Sequence, residues 1–143
     1  MPLPPKKKTV TQVSSEHAEQ VHLFTWIRMF EVRHPKLKTI FAIPNGGYRT
    51  VTTAGKMKAE GQKSGVWDIF VACKGSLNDV EYAGMWIEMK VGRNKLTDNQ
   101  VIFKETLQQY GASYNWAVCY CWTDAAKLIA SYIGMEEDLW LKP

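Results

Sequence analysis

The sequence predicts an α/β domain, a small mixed β-sheet flanked by α-helices, and three observations carry that expectation. Short segments rich in β-branched and aromatic residues alternate with segments whose apolar residues recur at helical spacing. One strand segment, 66–73, is apolar almost throughout, as a strand covered on both faces should be. The third is size and balance. A chain of 143 residues, 45% hydrophobic and 22% charged, suits one domain that buries roughly two thirds of its unfolded surface.

The first thirteen residues hold three prolines, three lysines and no acid, which predicts a flexible basic tail ahead of a single domain over 14–143. From Ser14 or Ser15 the pattern turns helical, with a serine cap, acids in the first turn and apolar Val21, Leu23, Phe24, Ile27 and Phe30. This helix should end near Arg33, before Pro35. A strand is expected over 39–43, stopped by Pro44-Asn45-Gly46-Gly47, and a basic helix over 50–61. After the strand at 66–73, residues 75–81 read as polar and turn-like. The strand at 83–90 places Met85, Ile87 and Met89 on one face and Trp86, Glu88 and Lys90 on the other. A loop at 93–95 leads to a helix capped by Thr97, carrying Val101, Ile102, Leu107 and Tyr110 and closed by Gly111. A strand over 114–122 and a helix over 123–133 complete the order.

Several classes of function are disfavoured. No apolar run approaches the roughly 20 residues that span a bilayer, and the start lacks a secretory hydrophobic stretch, so a soluble, cytoplasmic protein is expected. Cys73, Cys119 and Cys121 are an odd, scattered set that suits reduced thiols, and with three histidines a structural zinc site has little to build on. The loop 45–47 lacks the Gly-Lys-Ser/Thr ending of a nucleotide-binding loop. Four of the six tryptophans, Trp26, Trp86, Trp116 and Trp122, fall within elements and read as core or interface.

Net charge is only +4, but it is unevenly placed. Between Arg33 and Lys63 seven basic residues face one acid, Glu60, whereas from Glu105 onward five acids face two lysines. Such asymmetry gives the molecule one side attractive to a polyanion.

Asp68, Glu88 and Lys90 each interrupt an apolar strand. Burying isolated charges costs several kcal/mol in practice, so three in two short strands imply mutual pairing or a bound cation. Glu88 and Lys90 share a face, and if the two strands are neighbours Asp68 lies beside Glu88. Two hard carboxylates suit magnesium or manganese, and a nearby lysine suits metal-assisted phosphodiester hydrolysis. A salt bridge at the sheet rim is the alternative.

These residues belong to a longer series. Glu19-Gln20 stand on the first helix, followed by Ile43-Pro44-Asn45-Gly46-Gly47 with Arg49, then Gly61 and Gly65 before Asp68. Gly84 precedes Ile87-Glu88-Met89-Lys90, and Lys95-Leu96-Thr97 and Gln100 close the set. In this order, over roughly 15–132, they resemble the virus-type replication-repair nuclease family (VRR-NUC) of the PD-(D/E)xK nuclease superfamily. The resemblance implies a restriction-endonuclease-like core and a DNA endonuclease dependent on Mg2+ or Mn2+. It makes Asp68 and Glu88 metal-binding acids, Lys90 the catalytic lysine, Glu19 the helical acid and Gln100 the glutamine of the following helix. Glu16, three residues from Glu19 and so on a neighbouring helical position, competes for the helical role. Where the family has proline before the aspartate, this chain has Trp67.

The DNA-facing residues expected from the glycine loop and the basic positions are Asn45, Gly46, Gly47, Tyr48, Arg49, Lys56, Lys58, Arg93 and Lys95. The resemblance also implies branched DNA, such as a four-way (Holliday) junction, in replication or repair, and two cuts there call for a homodimer. Flap or nonspecific duplex cleavage, a non-catalytic DNA-binding module and a partner-binding subunit are the other readings.

Overall fold

The computed structural model describes residues 14–44 and 51–135. In chain order the elements are α1 (Glu16–Phe30), a 3-10 turn (Pro35–Thr39), β1 (Ile40–Ala42), α2 (Val51–Ala59), β2 (Ile69–Val71), β3 (Gly75–Leu77), β4 (Val80–Tyr82), β5 (Gly84–Met89), α3 (Asp98–Tyr110), β6 (Tyr114–Cys119) and α4 (Trp122–Ile133). The main sheet has the order β1-β2-β5-β6; β1, β2 and β5 are antiparallel neighbours, and β5 and β6 run parallel. The sheet is therefore mixed, as expected.

One face is the core. Ile69 and Val71 from β2 and Met85, Ile87 and Met89 from β5 are fully buried there against Leu23, Ile27 and Phe30 of α1 and Ala126 and Ile129 of α4. The period of two along each strand and of about 3.6 along each helix puts these residues on matching faces. Ser15 caps α1, its hydroxyl accepting the Ala18 N–H at 3.0 Å.

The opposite face carries a row of rings, one from each strand. Phe41, Phe70, Trp86 and Trp116 follow in register, with successive centroids 5.9, 4.4 and 6.0 Å apart. Trp26, a residue of α1, lies in the core instead. Helix α3 meets the ring row through Phe103, whose ring is 5.2 Å from Trp86 and 6.0 Å from Trp116. Val101, Phe103, Lys104 and Leu107 are half-buried, whereas Ile102 and Tyr110, expected on the packed face, are exposed. No residue of α3 is fully buried.

The structure departs from the sequence expectations elsewhere as well. Residues 75–82 form a β-hairpin, not merely a turn; Asn78 and Asp79 both take positive φ (49° and 63°), the backbone of a two-residue hairpin turn whose twist suits its strands. The strand expected over 114–122 stops at Cys119, because Cys121 is already the N-cap of α4. The strand over 66–73 pairs only at Ile69–Val71, and part of the 39–43 segment is taken by the 3-10 turn. The basic tail and the 45–50 loop lie outside the described residues. Among the described residues no helix is long and apolar enough to cross a membrane.

Gly65 fixes where α3 begins. Its φ is +90°, and a Cβ there would run into the Asn99 backbone in the first turn of α3; the Asn99 amide also donates to Ser64 Oγ at 3.0 Å. Gly65→Ala combines a disfavoured backbone conformation with a backbone collision, so it should destabilise the fold by about 2–3 kcal/mol. A lower urea midpoint with unchanged m-value would register this; an unchanged midpoint would mean that α3 is free to shift.

Candidate functional site

The register of β2 and β5 decides what faces what. Ile69 pairs with Ile87, so the next pair outward is Asp68 with Glu88, on the face that carries the rings. There the two carboxylates form a reciprocal clamp. The Asp68 N–H donates to Glu88 Oε2 at 3.0 Å, and the Met89 N–H donates to Asp68 Oδ2 at 3.1 Å. Glu88 is 2% exposed and Lys90 7%, while Asp68 is half-buried. The Lys90 Nζ stands 3.6 Å from Glu88 Oε1.

Gln100 completes the pocket wall from α3. Thr97 and Gln100 form a capping box: Thr97 Oγ1 accepts the Gln100 N–H at 3.3 Å and Gln100 Oε1 accepts the Thr97 N–H at 2.9 Å. With the amide oxygen committed to that N–H, the amide nitrogen points the other way and donates to Glu88 Oε1 at 2.6 Å. Trp67 is 1% exposed, its ring meets Trp116 edge-on at 4.9 Å, and its indole N–H donates to the Gln100 carbonyl at 3.0 Å.

The electrostatics follow from burial. Glu88 is pushed up from 4.5 to about 7, first by burial and then by the negative charge of Asp68, against the Asp68 N–H, Lys90 and Gln100. Asp68 is raised too, again chiefly by burial, with Glu16 adding to the rise and the Met89 N–H, Glu88 and Lys90 opposing it. Two carboxylates share one lysine, so when both are ionised the pocket holds an excess negative charge. Either a proton or a cation answers that excess.

The two acids of α1 are placed differently. Glu19 Oε2 accepts the Trp122 N–H at 3.1 Å, at the start of α4, where the N-cap Cys121 supplies no side-chain hydrogen bond. Glu16 accepts from the Asn94 amide at 3.4 Å, and its charge is felt by Asp68. The structure thus brings Asp68, Glu88, Lys90 and Gln100 together, sets Glu16 within electrostatic reach, and turns Glu19 to α4.

The expected DNA-facing positions are spread more widely. Lys56 and Lys58 are exposed on α2, and Arg93 and Lys95 are exposed in the loop that follows Lys90. Asn45, Gly46, Gly47, Tyr48 and Arg49 lie outside the described residues. The sequence marks Trp67 only as a departure from a motif and gives no sign of its bond to Gln100; the Thr97-x-x-Gln100 capping spacing is legible there, but its link to Glu88 is not.

Among the described residues no three acidic, histidine or cysteine side chains converge as a ready-made metal cage. The chemistry of the pair still suits a hard divalent cation. Magnesium is commonly held by one or two carboxylates, with water and substrate phosphate filling the rest of its shell. The excess negative charge supplies the electrostatic reason.

No family model matches the chain, and no curated protein matches it. Among solved structures, the chain is similar to one described as a VRR_NUC domain protein, at 23% identity and a TM-score of 0.66, covering 87% of this chain and 93% of that one. The chain has the fold of that protein.

A pH dependence follows from Glu88. Its folded value lies above its unfolded one, so the stability it contributes is fully present below about 4.5 and lost as pH rises through about 7. In chelator, the melting temperature of the wild type minus that of Glu88→Gln should therefore fall across this window. A difference that stays flat would mean that Glu88 ionises as an ordinary surface carboxylate.

Proposed function

We propose that the chain is a nuclease of the VRR-NUC kind, hydrolysing phosphodiester bonds of DNA with Mg2+ or Mn2+. The observation that carries this is the Asp68–Glu88 pair, opposed in register with Lys90 3.6 Å from Glu88. The likeness of fold to a VRR_NUC domain protein and the ordered motif series support the same reading.

Asp68 and Glu88 are the residues that would hold the cation. When bound, it supplies Lewis acidity toward a phosphate oxygen and a water of lowered pKa. The chain's own groups do the rest. Gln100 and the Asp68 N–H hold Glu88 in one orientation from opposite oxygens. Lys90, nearly buried, keeps an ammonium beside the phosphate position, where it offsets charge that grows in the transition state. Of the two acids on α1, we assign Glu16 to the metal side, because Asp68 feels its charge, and Glu19 to the cap of α4.

The phosphate backbone is met by Lys56, Lys58, Arg93 and Lys95, with Asn45, Gly46, Gly47, Tyr48 and Arg49 of the glycine loop. Branched DNA, with a four-way junction as its simplest case, is the proposed substrate. One domain with one site needs a second copy for paired cuts, so a symmetric homodimer is part of this reading. A panel of junction, flap, duplex and single strand, with and without each metal, tests it. Preference for flaps or duplex by a monomer would move the substrate away from junctions, and metal-indifferent binding without cleavage would leave a DNA-binding module.

Two sets of variants give definite expectations. Asp68→Asn and Glu88→Gln should each lose cleavage by about three orders of magnitude or more, as removal of a charge-stabilising group does, while retaining DNA binding. Cleavage at the wild-type rate in either would end the assignment. Lys56→Ala with Lys58→Ala should weaken binding to all sequences and flatten the salt dependence by about one unit of slope for each phosphate that is no longer neutralised. A titration across salt concentrations reads this directly, and an unchanged slope would take α2 off the DNA-facing side.

A further inference from the structure

Helix α3 has no fully buried residue, yet it delivers the amide that holds Glu88. Something must set the height of its first turn to within a hydrogen-bond length. Phe103 cannot do so alone, since a ring resting on other rings slides at little cost. Three polar or steric stops act on the first turn: the capping box at Thr97, the approach of Gly65 to Asn99, and the indole of Trp67.

We infer that Trp67 is a positioning residue of the Asp68–Glu88 site, acting through Gln100. Trp67 directly precedes Asp68, so one side chain ties the strand bearing the first acid to the helix that orients the second. Its ring is clamped, 1% exposed and 4.9 Å from Trp116, and its only polar atom donates to the Gln100 carbonyl. The Gln100 side chain is spent at both ends, on Thr97 and on Glu88. Glu88 Oε1, which receives that amide, is also the oxygen nearest Lys90. Releasing the indole bond lets Gln100 rise away from Glu88, which frees Oε1 to turn toward Lys90 and out of line with Asp68.

This inference rests on the proposed metal site for its consequence but not for its geometry, so the test has two readouts. Trp67→Phe keeps a buried ring and removes the donor; site-specific β-(3-benzothienyl)alanine does the same with less change of shape, should the Phe variant fold poorly. In metal-free protein, the Gln100 side-chain amide protons, read by 15N-labelled NMR, should lie downfield in the wild type and move toward free-amide positions in the variant. Mn2+ affinity, read by electron paramagnetic resonance, should fall three- to tenfold, and Trp67→Phe should have no further effect in a Gln100→Ala background. A merely structural role would lower the melting temperature and leave both signals in place. Unmoved Gln100 resonances, or an equal loss of Mn2+ affinity with and without Gln100, would overturn the inference. Moved resonances in a protein that binds no Mn2+ would uphold the positioning role and overturn the nuclease reading instead.

Discussion

Two carboxylates facing each other across β2 and β5 constrain much of what surrounds them. Each gives a hydrogen-bond acceptor to backbone of the opposite strand, so the clamp replaces ladder bonds where β2 leaves the sheet. A slip of β2 by one residue against β5 would turn Asp68 into the core and lift Ile69 out of it. The register is therefore held twice, by apolar burial on one face and by carboxylate bonds on the other. Their burial also demands donors, which is why an amide from α3 and an ammonium from the end of β5 converge on the same oxygen.

The side of the sheet bearing this charge is otherwise aromatic. Phe70 and Trp86 occupy the pair next to Asp68 and Glu88, and Trp67 and Trp116 extend the layer beneath the first turns of α3. Rings exclude water from one flank of the pocket while leaving Asp68 half-open on the other. That contrast accounts for the raised carboxyls: burial is the first cause for both, and the hydrogen bonds only partly oppose it.

How much is legible in the sequence follows from the range of the forces involved. Asp68, Glu88 and Lys90 stand out because a charge in an apolar strand is a local anomaly. The hairpin at 75–82 does not, because Asn78-Asp79 sits among residues as polar as any loop. The packing of α3 differs from the expected face, which included Ile102, for another reason: its ring partners, Trp86 and Trp116, stand on two strands, and no helical period encodes them. The bond that Glu19 makes is out of reach altogether. It depends on an N–H of Trp122, 103 residues along the chain from Glu19.

That last contact gives α1 two unrelated duties one helical turn apart. The charge of its first acid is felt by Asp68, and its second acid fastens a neighbouring helix by the end that lacks a cap of its own. In a scan scored by the state of the carboxylate pair alone the two glutamates would look equivalent, since a loosened α4 disturbs the core beneath β5 as surely as a missing charge disturbs the pair above it. Electrostatic and architectural duties are thus interleaved along one helix, and a change at the carboxylate pair by itself does not tell a nearby charge from a fastening.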